Sequence, residues 1–181
     1  MPATAIRVWD PLVRFVHWAV AVLVAIDLLN DAGANPWHRY FGYAAGALIA
    51  LRLAWGLCGP HYARLKTMMA SACTLKVYFR ESTSPTRRFY AGHNPLGAYM
   101  AFTLWALLLA AVITGWMLQL DAFWGDESIQ NLHAAAAYAL ATLAVVHVTG
   151  VLVTSAATRS NLVMAMITGT KMDKDSPAGK P

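Results

Sequence analysis

The chain has 181 residues, of which 58% are hydrophobic and only 13% are charged, whereas soluble domains are usually about half apolar and about a quarter charged. This composition argues against a soluble protein and favours one embedded in a membrane. The net charge of +5 comes from basic residues gathered in a few segments, as membrane topology requires, and does not indicate a nucleic-acid partner.

Four apolar runs follow one another along the chain, at about 12–29, 40–57, 96–120 and 132–154. Each is close to or above the ~18–20 residues that an α-helix needs to cross the hydrocarbon core. The first run does not fit a cleaved signal peptide, because Arg14 lies within its first turns and no small-residue cleavage site follows it. The sequence therefore predicts an all-α fold, an up-down-up-down bundle of four transmembrane helices within residues 1–158.

The charged residues predict how this bundle is oriented. Three segments carry most of the basic residues, namely the connection 59–95 (Arg64, Lys66, Lys76, Arg80, Arg87 and Arg88), the N-terminal stretch (Arg7 and Arg14) and the tail 159–181 (Arg159, Lys171, Lys174 and Lys180). The other two connections carry Asp31, Asp121, Asp126 and Glu127, with Arg39 as their only base. By the positive-inside rule, both termini and the 59–95 connection are expected in the cytoplasm.

The two cytoplasmic segments have less regular patterns. The stretch 65–80 is compatible with a surface helix, because Lys66, Lys76 and Arg80 would share one side of it; an irregular basic loop is the alternative. The tail ends, from Lys171 onward, in a composition typical of disordered termini. Cys58 falls on the cytoplasmic side together with the other cysteine, so a structural disulfide is not expected.

The fourth apolar run has a histidine near each end, His133 and His147. Fourteen residues are nearly four helical turns, so the two side chains project from almost the same face and lie about 21 Å apart along the axis. His17 in the first helix is level with His147, and His38 at the start of the second helix is level with His133. Ionisable residues inside a membrane usually mark function. We therefore expect two centres at different depths, although ordinary hydrogen-bonded core histidines are the alternative.

Haem fits these pairs better than a binuclear metal site, which would need clustered carboxylates. It is apolar enough to pack inside a bundle, and neutral imidazoles are its axial ligands. No C-x-x-C-H motif occurs, so the haems would be non-covalent. Gly42 and Ala134–Ala137 offer small neighbours for a flat macrocycle, or simply allow close helix packing. Arg52, on a similar face to His38, suits a haem propionate or snorkels to the inner surface.

Five motifs occur in order along the chain: VHW in the first helix, HRYFGYAAGALIALRLAWG in the second, WGLCGPHYARL and GHNPLGAYM around the long connection, and LHAAAAYALATLAVVH in the fourth. From RVWDPLVRFVHW to about Ser155 the chain resembles the bacterial di-haem cytochrome b561 family, in its hydrogenase-type branch. The resemblance implies a four-helix bundle with two b haems, one held by His17 and His147, the other by His38 and His133. The chain is more compact than hydrogenase anchors generally are, so an attached catalytic subunit stays an open question.

A protein of this kind is expected to move electrons across the bilayer between quinone and a redox partner, for example a periplasmic c-type cytochrome. Whether it is a self-sufficient enzyme or only an electron-transfer subunit stays open, and no catalytic residue is assigned. A stand-alone superoxide:quinone oxidoreductase is one alternative, although the acidic outer loops would repel superoxide. A haem-free membrane anchor, in which the histidines only pack, is another.

Three further ionisable residues have weaker patterns. His61 and His93 lie in the 59–95 connection, where an exposed or helix-capping role is expected; His93 could instead serve a proton or a quinone headgroup at the inner surface. Asp27 lies near the outer end of the first helix, as an interfacial residue or as a proton carrier during quinone turnover.

Overall fold

The computed structural model describes residues 4–29, 36–73, 92–158 and 160–173. Its helices are α1 (Pro11–Leu29), α2 (Trp37–Cys58), α3 (Leu65–Cys73), α4 (Pro95–Met117), α5 (Glu127–Thr158) and α6 (Leu162–Thr168), and its strands are β1 (Thr4–Arg7) and β2 (Thr170–Asp173). Within the described chain, α1, α2, α4 and α5 are the four helices long and apolar enough to cross a membrane. The predicted all-α membrane fold with four spanning helices is therefore confirmed, with one short two-stranded sheet added to it.

The fourth spanning helix, α5, begins at Glu127, several residues before the apolar run that predicted it. The Asp126 carboxylate accepts hydrogen bonds from the backbone N–H groups of Ser128 (2.8 Å) and Ile129 (3.2 Å). Such a cap satisfies donors that the first helical turn leaves without partners, and a negative charge is favourable at this end of a helix. Because the first turn is polar, an apolar run alone cannot locate this boundary.

The chain divides into two compact units. The central unit comprises the described residues of Phe15–Ala54 and Met100–His147, and the terminal unit comprises those of Met1–Arg14, Trp55–Tyr99 and Val148–Pro181. The central unit therefore holds parts of all four spanning helices, and it contains all four of the paired histidines.

The core of the central unit is a cluster of buried side chains from three helices: Ala45 and Ile49 of α2, Leu108 of α4 and Leu140 of α5. Partly buried side chains of α1 pack against this cluster, so all four helices contribute to one apolar core. At Gly46, a Cβ atom would lie 2.8 Å from the Val112 side chain. Since lipid gives helices no hydrophobic drive to associate, such small residues at close contacts are what lets them pack.

In the terminal unit, β1 and β2 form an antiparallel pair in which Arg7 lies opposite Thr170. Gly169, just before β2, has φ +86°, a left-handed conformation that glycine adopts without strain. Its carbonyl accepts hydrogen bonds from the N–H groups of Val8 (2.8 Å) and Trp9 (3.1 Å). These bonds tie the start of the chain to the segment that follows α5.

The structure adds detail to the two segments that the sequence predicts to be cytoplasmic. Of the possible surface helix at 65–80, residues Leu65–Cys73 form α3, and the remainder lies outside the described residues. The tail contains α6, a segment for which the sequence analysis makes no prediction; it is capped by Asn161, whose side chain accepts a hydrogen bond from the Met164 N–H (2.8 Å). Its residues from Lys171 to Asp173 belong to β2, because backbone pairing with β1 is not encoded in local composition; residues 174–181 lie outside the described part.

Candidate functional site

The structure brings His17 of α1 beside His147 of α5. Their ring centroids are 6.4 Å apart and the ring planes are inclined by 58°. The Nδ1 atom of His17 is buried and has no hydrogen-bond partner among the described residues. A buried polar atom left in this way costs about 1–3 kcal/mol, so the His17 ring sits in a place that suits one further polar or metal partner.

The second pair lies between α2 and α5. The ring centroids of His38 and His133 are 5.9 Å apart, and their planes are inclined by 85°. The chain thus forms both of the pairs that depth matching predicts, each with one histidine from α5.

These separations suit a metal ion held between two opposed imidazoles. Two metal–nitrogen bonds of about 2 Å, plus about 1 Å from each nitrogen to its ring centre, put the centroids roughly 6 Å apart. Within the described residues, no group of three or more His, Cys, Asp and Glu side chains is arranged to hold a metal ion. Each pair would therefore supply two imidazoles to a metal, which fits an iron whose other ligands belong to a porphyrin.

The orientation of His133 is fixed by α4. Its Nδ1 atom lies 3.0 Å from the carbonyl oxygen of Ala111 and 3.1 Å from Oγ1 of Thr114. Because a carbonyl oxygen can only accept, Nδ1 donates and Nε2 keeps its lone pair for a metal. Gly115 leaves room for the ring, since a Cβ there would lie 3.1 Å from Cε1 of His133.

His38 is oriented by a carboxylate. Its Nδ1 atom lies 2.8 Å from Asp27 of α1, and both side chains are partly buried. Nδ1 donates to the carboxylate, so Nε2 is again the atom left for a metal. Asp27 therefore faces a candidate ligand and is more than an interfacial residue.

Two further predicted features lie in the central unit. At Gly42, one turn after His38, a Cβ atom would meet nothing within 4 Å, so there is space beside this candidate ligand. Arg52 is only 3% exposed, and its guanidinium carbon lies 5.0 Å from the centre of the Trp105 ring, a cation–π distance. This burial favours a role inside the bundle over snorkelling to the surface.

The remaining two histidines lie in the terminal unit. His61 is exposed and opens a short 3-10 helix, His61–Ala63. His93 is partly buried, with its ring 4.6 Å from that of Trp9 in an edge-on arrangement. The cap of α4 is Asn94, whose side chain accepts a hydrogen bond from the Gly97 N–H (2.6 Å). The expected capping role thus falls to Asn94 and not to His93.

Sequence reasoning missed the groups that orient the histidines. Thr114 and Gly115 lie on α4, which carries no histidine. The available signal was Thr114 itself, a polar residue within the most apolar of the four runs. Asp27 was noticed, but nothing in the sequence pairs it with His38, since this depends on how α1 and α2 are rotated against each other.

Four apolar helices with two pairs of neighbouring imidazoles between them fit the architecture of a membrane-bound b-type cytochrome. The sequence model of the prokaryotic cytochrome b561 family matches residues 8–169, and the chain belongs to this family. Membership makes it a multi-pass protein of the bacterial inner membrane that acts in electron transfer with haem b and a redox partner.

Curated relatives agree with this assignment. The chain is 22% identical to a probable Ni/Fe-hydrogenase B-type cytochrome subunit of Bradyrhizobium diazoefficiens, over 94% of this chain and 87% of that protein. It is 23% identical to the protein of the same description from Azotobacter vinelandii, over 95% and 90%. These alignments span 217 and 221 positions, more than the chain has residues, so the relatives contain additional residues within the matched region. No solved structure matches the chain.

Proposed function

We propose that this protein carries electrons across the inner membrane through two bis-histidine b haems, between the quinone pool and a redox partner. His17 and His147 would hold the inner haem, and His38 and His133 the outer one. When bound, haem iron supplies one-electron chemistry, cycling between its ferric and ferrous forms. The observation that carries the proposal is the pair of imidazole separations, 6.4 and 5.9 Å, each of which suits one iron.

The spacing on α5 supports two separate centres. His133 and His147 are fourteen residues apart on one helix, which corresponds to about 21 Å along its axis. Two side chains so far apart cannot bind one metal ion, and each has its own partner from another helix. Electrons entering at one depth can therefore leave at another.

The residues around each pair favour electron transfer over chemistry on oxygen. A histidine on either side of the iron leaves no open axial position for a substrate. On the outer pair, Ala111 and Asp27 accept hydrogen bonds from the Nδ1 atoms of the two rings, which restrains the orientation of each ring. Arg52, buried beside the core, is the side chain we propose for a haem propionate, since guanidinium groups bind carboxylates in two parallel hydrogen bonds.

The charge distribution indicates the kind of partner at the outer side. The connection between α4 and α5 carries Asp121, Asp126 and Glu127, of which Asp121 and Glu127 are exposed. These acids suit a basic protein such as a c-type cytochrome and disfavour superoxide as a substrate. A hydrogenase is the second candidate, favoured by the description of the relatives as hydrogenase subunits.

Haem content tests the proposal directly. Purified wild-type protein should contain two b haems per chain, resolved as two components in a redox titration. His133→Leu and His147→Leu should each reduce the content to one, because each removes one axial ligand. His61→Leu is the matched control, since His61 is exposed and outside both pairs, and it should keep two haems. Full haem content in either helix α5 variant would contradict the ligand assignment.

Partner exchange is tested on the same preparation. A quinol releases two electrons and two protons, so it should reduce both centres when added to the oxidised protein. The protein should also exchange electrons quickly with a basic c-type cytochrome, as electron donor or as acceptor, and more slowly as salt is raised. Reduction of the oxidised protein by superoxide, which gives up one electron and becomes O2, followed by reoxidation of the protein by added quinone, would favour the oxidoreductase alternative. Electron entry only from a hydrogenase would favour that partner.

A further inference from the structure

Asp27 is the single acidic residue within the four predicted apolar runs. Both of its carboxylate oxygens lie 2.8 Å from Nδ1 of His38. The side chains are 31% exposed for His38 and 22% for Asp27. Holding a carboxylate in a membrane helix is costly, so this contact indicates a specific use for Asp27.

Three of the four paired histidines differ in what their Nδ1 atoms contact. That of His38 donates to a carboxylate, that of His133 faces a backbone carbonyl and a hydroxyl, and that of His17 has no partner among the described residues. A carboxylate on Nδ1 fixes the ring and increases the basicity of the opposite nitrogen. A more basic imidazole stabilises ferric iron more than ferrous iron and so lowers the reduction potential.

We infer that Asp27 acts through His38 as a positioning residue that lowers the reduction potential of the outer centre. The inference rests on the proposed function, since it requires His38 to be an axial ligand. A lower potential at the outer centre makes electron transfer from the outer to the inner centre more favourable. Asp27 would thus favour a flow that begins with a donor at the outer side.

The decisive variant is Asp27→Asn, which keeps the size of the side chain and an oxygen that accepts from Nδ1 but removes the negative charge. It is best measured in a His147→Leu background, where the outer centre is the only one left to titrate. Second-shell partners are worth about 10-fold to 100-fold in metal affinity. A tenfold loss of preference for ferric iron corresponds to about 59 mV in a one-electron couple, so the potential should rise by about that amount.

Two variants control for charge and for folding. Asp121→Asn removes the same charge from an exposed position on the 3-10 helix Asp121–Phe123, and it should shift the outer potential much less. Asp27→Glu keeps the negative charge, so its reduction potential should stay close to that of the protein with Asp27. The low-field EPR signal of the ferric centre should change in Asp27→Asn and stay unchanged in Asp121→Asn, because it reports on the ligand itself.

The outcomes separate this inference from the proposed function. If Asp27→Asn shifts the reduction potential of the outer centre no more than Asp121→Asn does, with the outer haem still bound, the role of Asp27 is overturned but the ligand assignment is not. Wild-type protein with fewer than two haems, or His38→Leu with both haems retained, would instead overturn the ligand assignment on which it depends.

Discussion

At the scale of single residues, the space beside His38 is the feature that most directly reports on a bound macrocycle. Gly42 follows His38 by four residues, so both lie on the same face of α2. A Cβ at Gly42 would meet nothing within 4 Å, which means that a larger side chain can be built there without displacing protein atoms. If a haem occupies this space, the same side chain competes with it.

Gly42→Leu should therefore fold but lose the outer haem, so that haem content falls from two per chain to one. Ala47→Leu is the matched control, because Ala47 is exposed on the same helix and follows His38 by nine residues, which places it on the opposite face of α2; it should keep two haems. The measurement is haem per chain in purified protein, with the yield of membrane-inserted protein to verify folding. Two haems in Gly42→Leu would show that the space faces lipid and not the macrocycle.

The four histidines could be placed in pairs from the sequence because helical periodicity and membrane depth fix them together. Their hydrogen-bond partners could not, because these depend on lateral packing. Ala111 and Thr114 meet His133 only through the rotation of α4 against α5, and an apolar run of Leu and Ala specifies that rotation weakly. Asp27 meets His38 for a similar reason, through the relative rotation of α1 and α2.

At the scale of elements, the pairing of β1 with β2 has no counterpart in the sequence analysis. Neither four-residue strand is strongly patterned, and the two lie near opposite ends of the chain. The contact is fixed instead by Gly169, whose positive φ and carbonyl oxygen connect α6 to Val8 and Trp9. A guanidinium nitrogen of Arg14 also donates to the carbonyl of Ile167, which adds a second link between the same segments.

Gly169→Ala should destabilise this connection for two reasons. A left-handed φ costs a residue with a side chain about 1–2 kcal/mol, and the new Cβ would lie 2.7 Å from the carbonyl oxygen of Trp9, a backbone atom that cannot easily move aside. Gly125→Ala separates the two effects, because Gly125 has φ +78° but nothing within 4 Å of its Cβ position. Thermal unfolding in detergent should show a small loss for Gly125→Ala and a larger one for Gly169→Ala; equal losses would mean that the close contact relaxes at no cost.

At the scale of the whole molecule, the distribution of charge predicts the orientation in the membrane. The described residues contain four helices that could span a membrane, so both ends of the chain are expected on one side, and the Lys and Arg content of the connection 59–95 predicts that this side is the cytoplasm. The orientation decides which histidine pair meets which partner. With cytoplasmic termini, His38 and His133 belong to the outer centre, and Asp27 lies near the periplasm.

A topology measurement checks this prediction. Asp121→Cys, at an exposed position between α4 and α5, should react in intact spheroplasts with a thiol reagent that cannot cross the membrane. Glu127→Cys, which is also exposed and also lies after α4, should react as well. Wild-type protein has Cys58 on the side predicted to be cytoplasmic, so it should react only after lysis. If the wild type were labelled before lysis and the introduced cysteine of the Asp121→Cys variant were not, the orientation would be the reverse of the predicted one. The carboxylate on His38 would then favour electrons that enter from the cytoplasmic side, so the direction of flow inferred from Asp27 depends on this result.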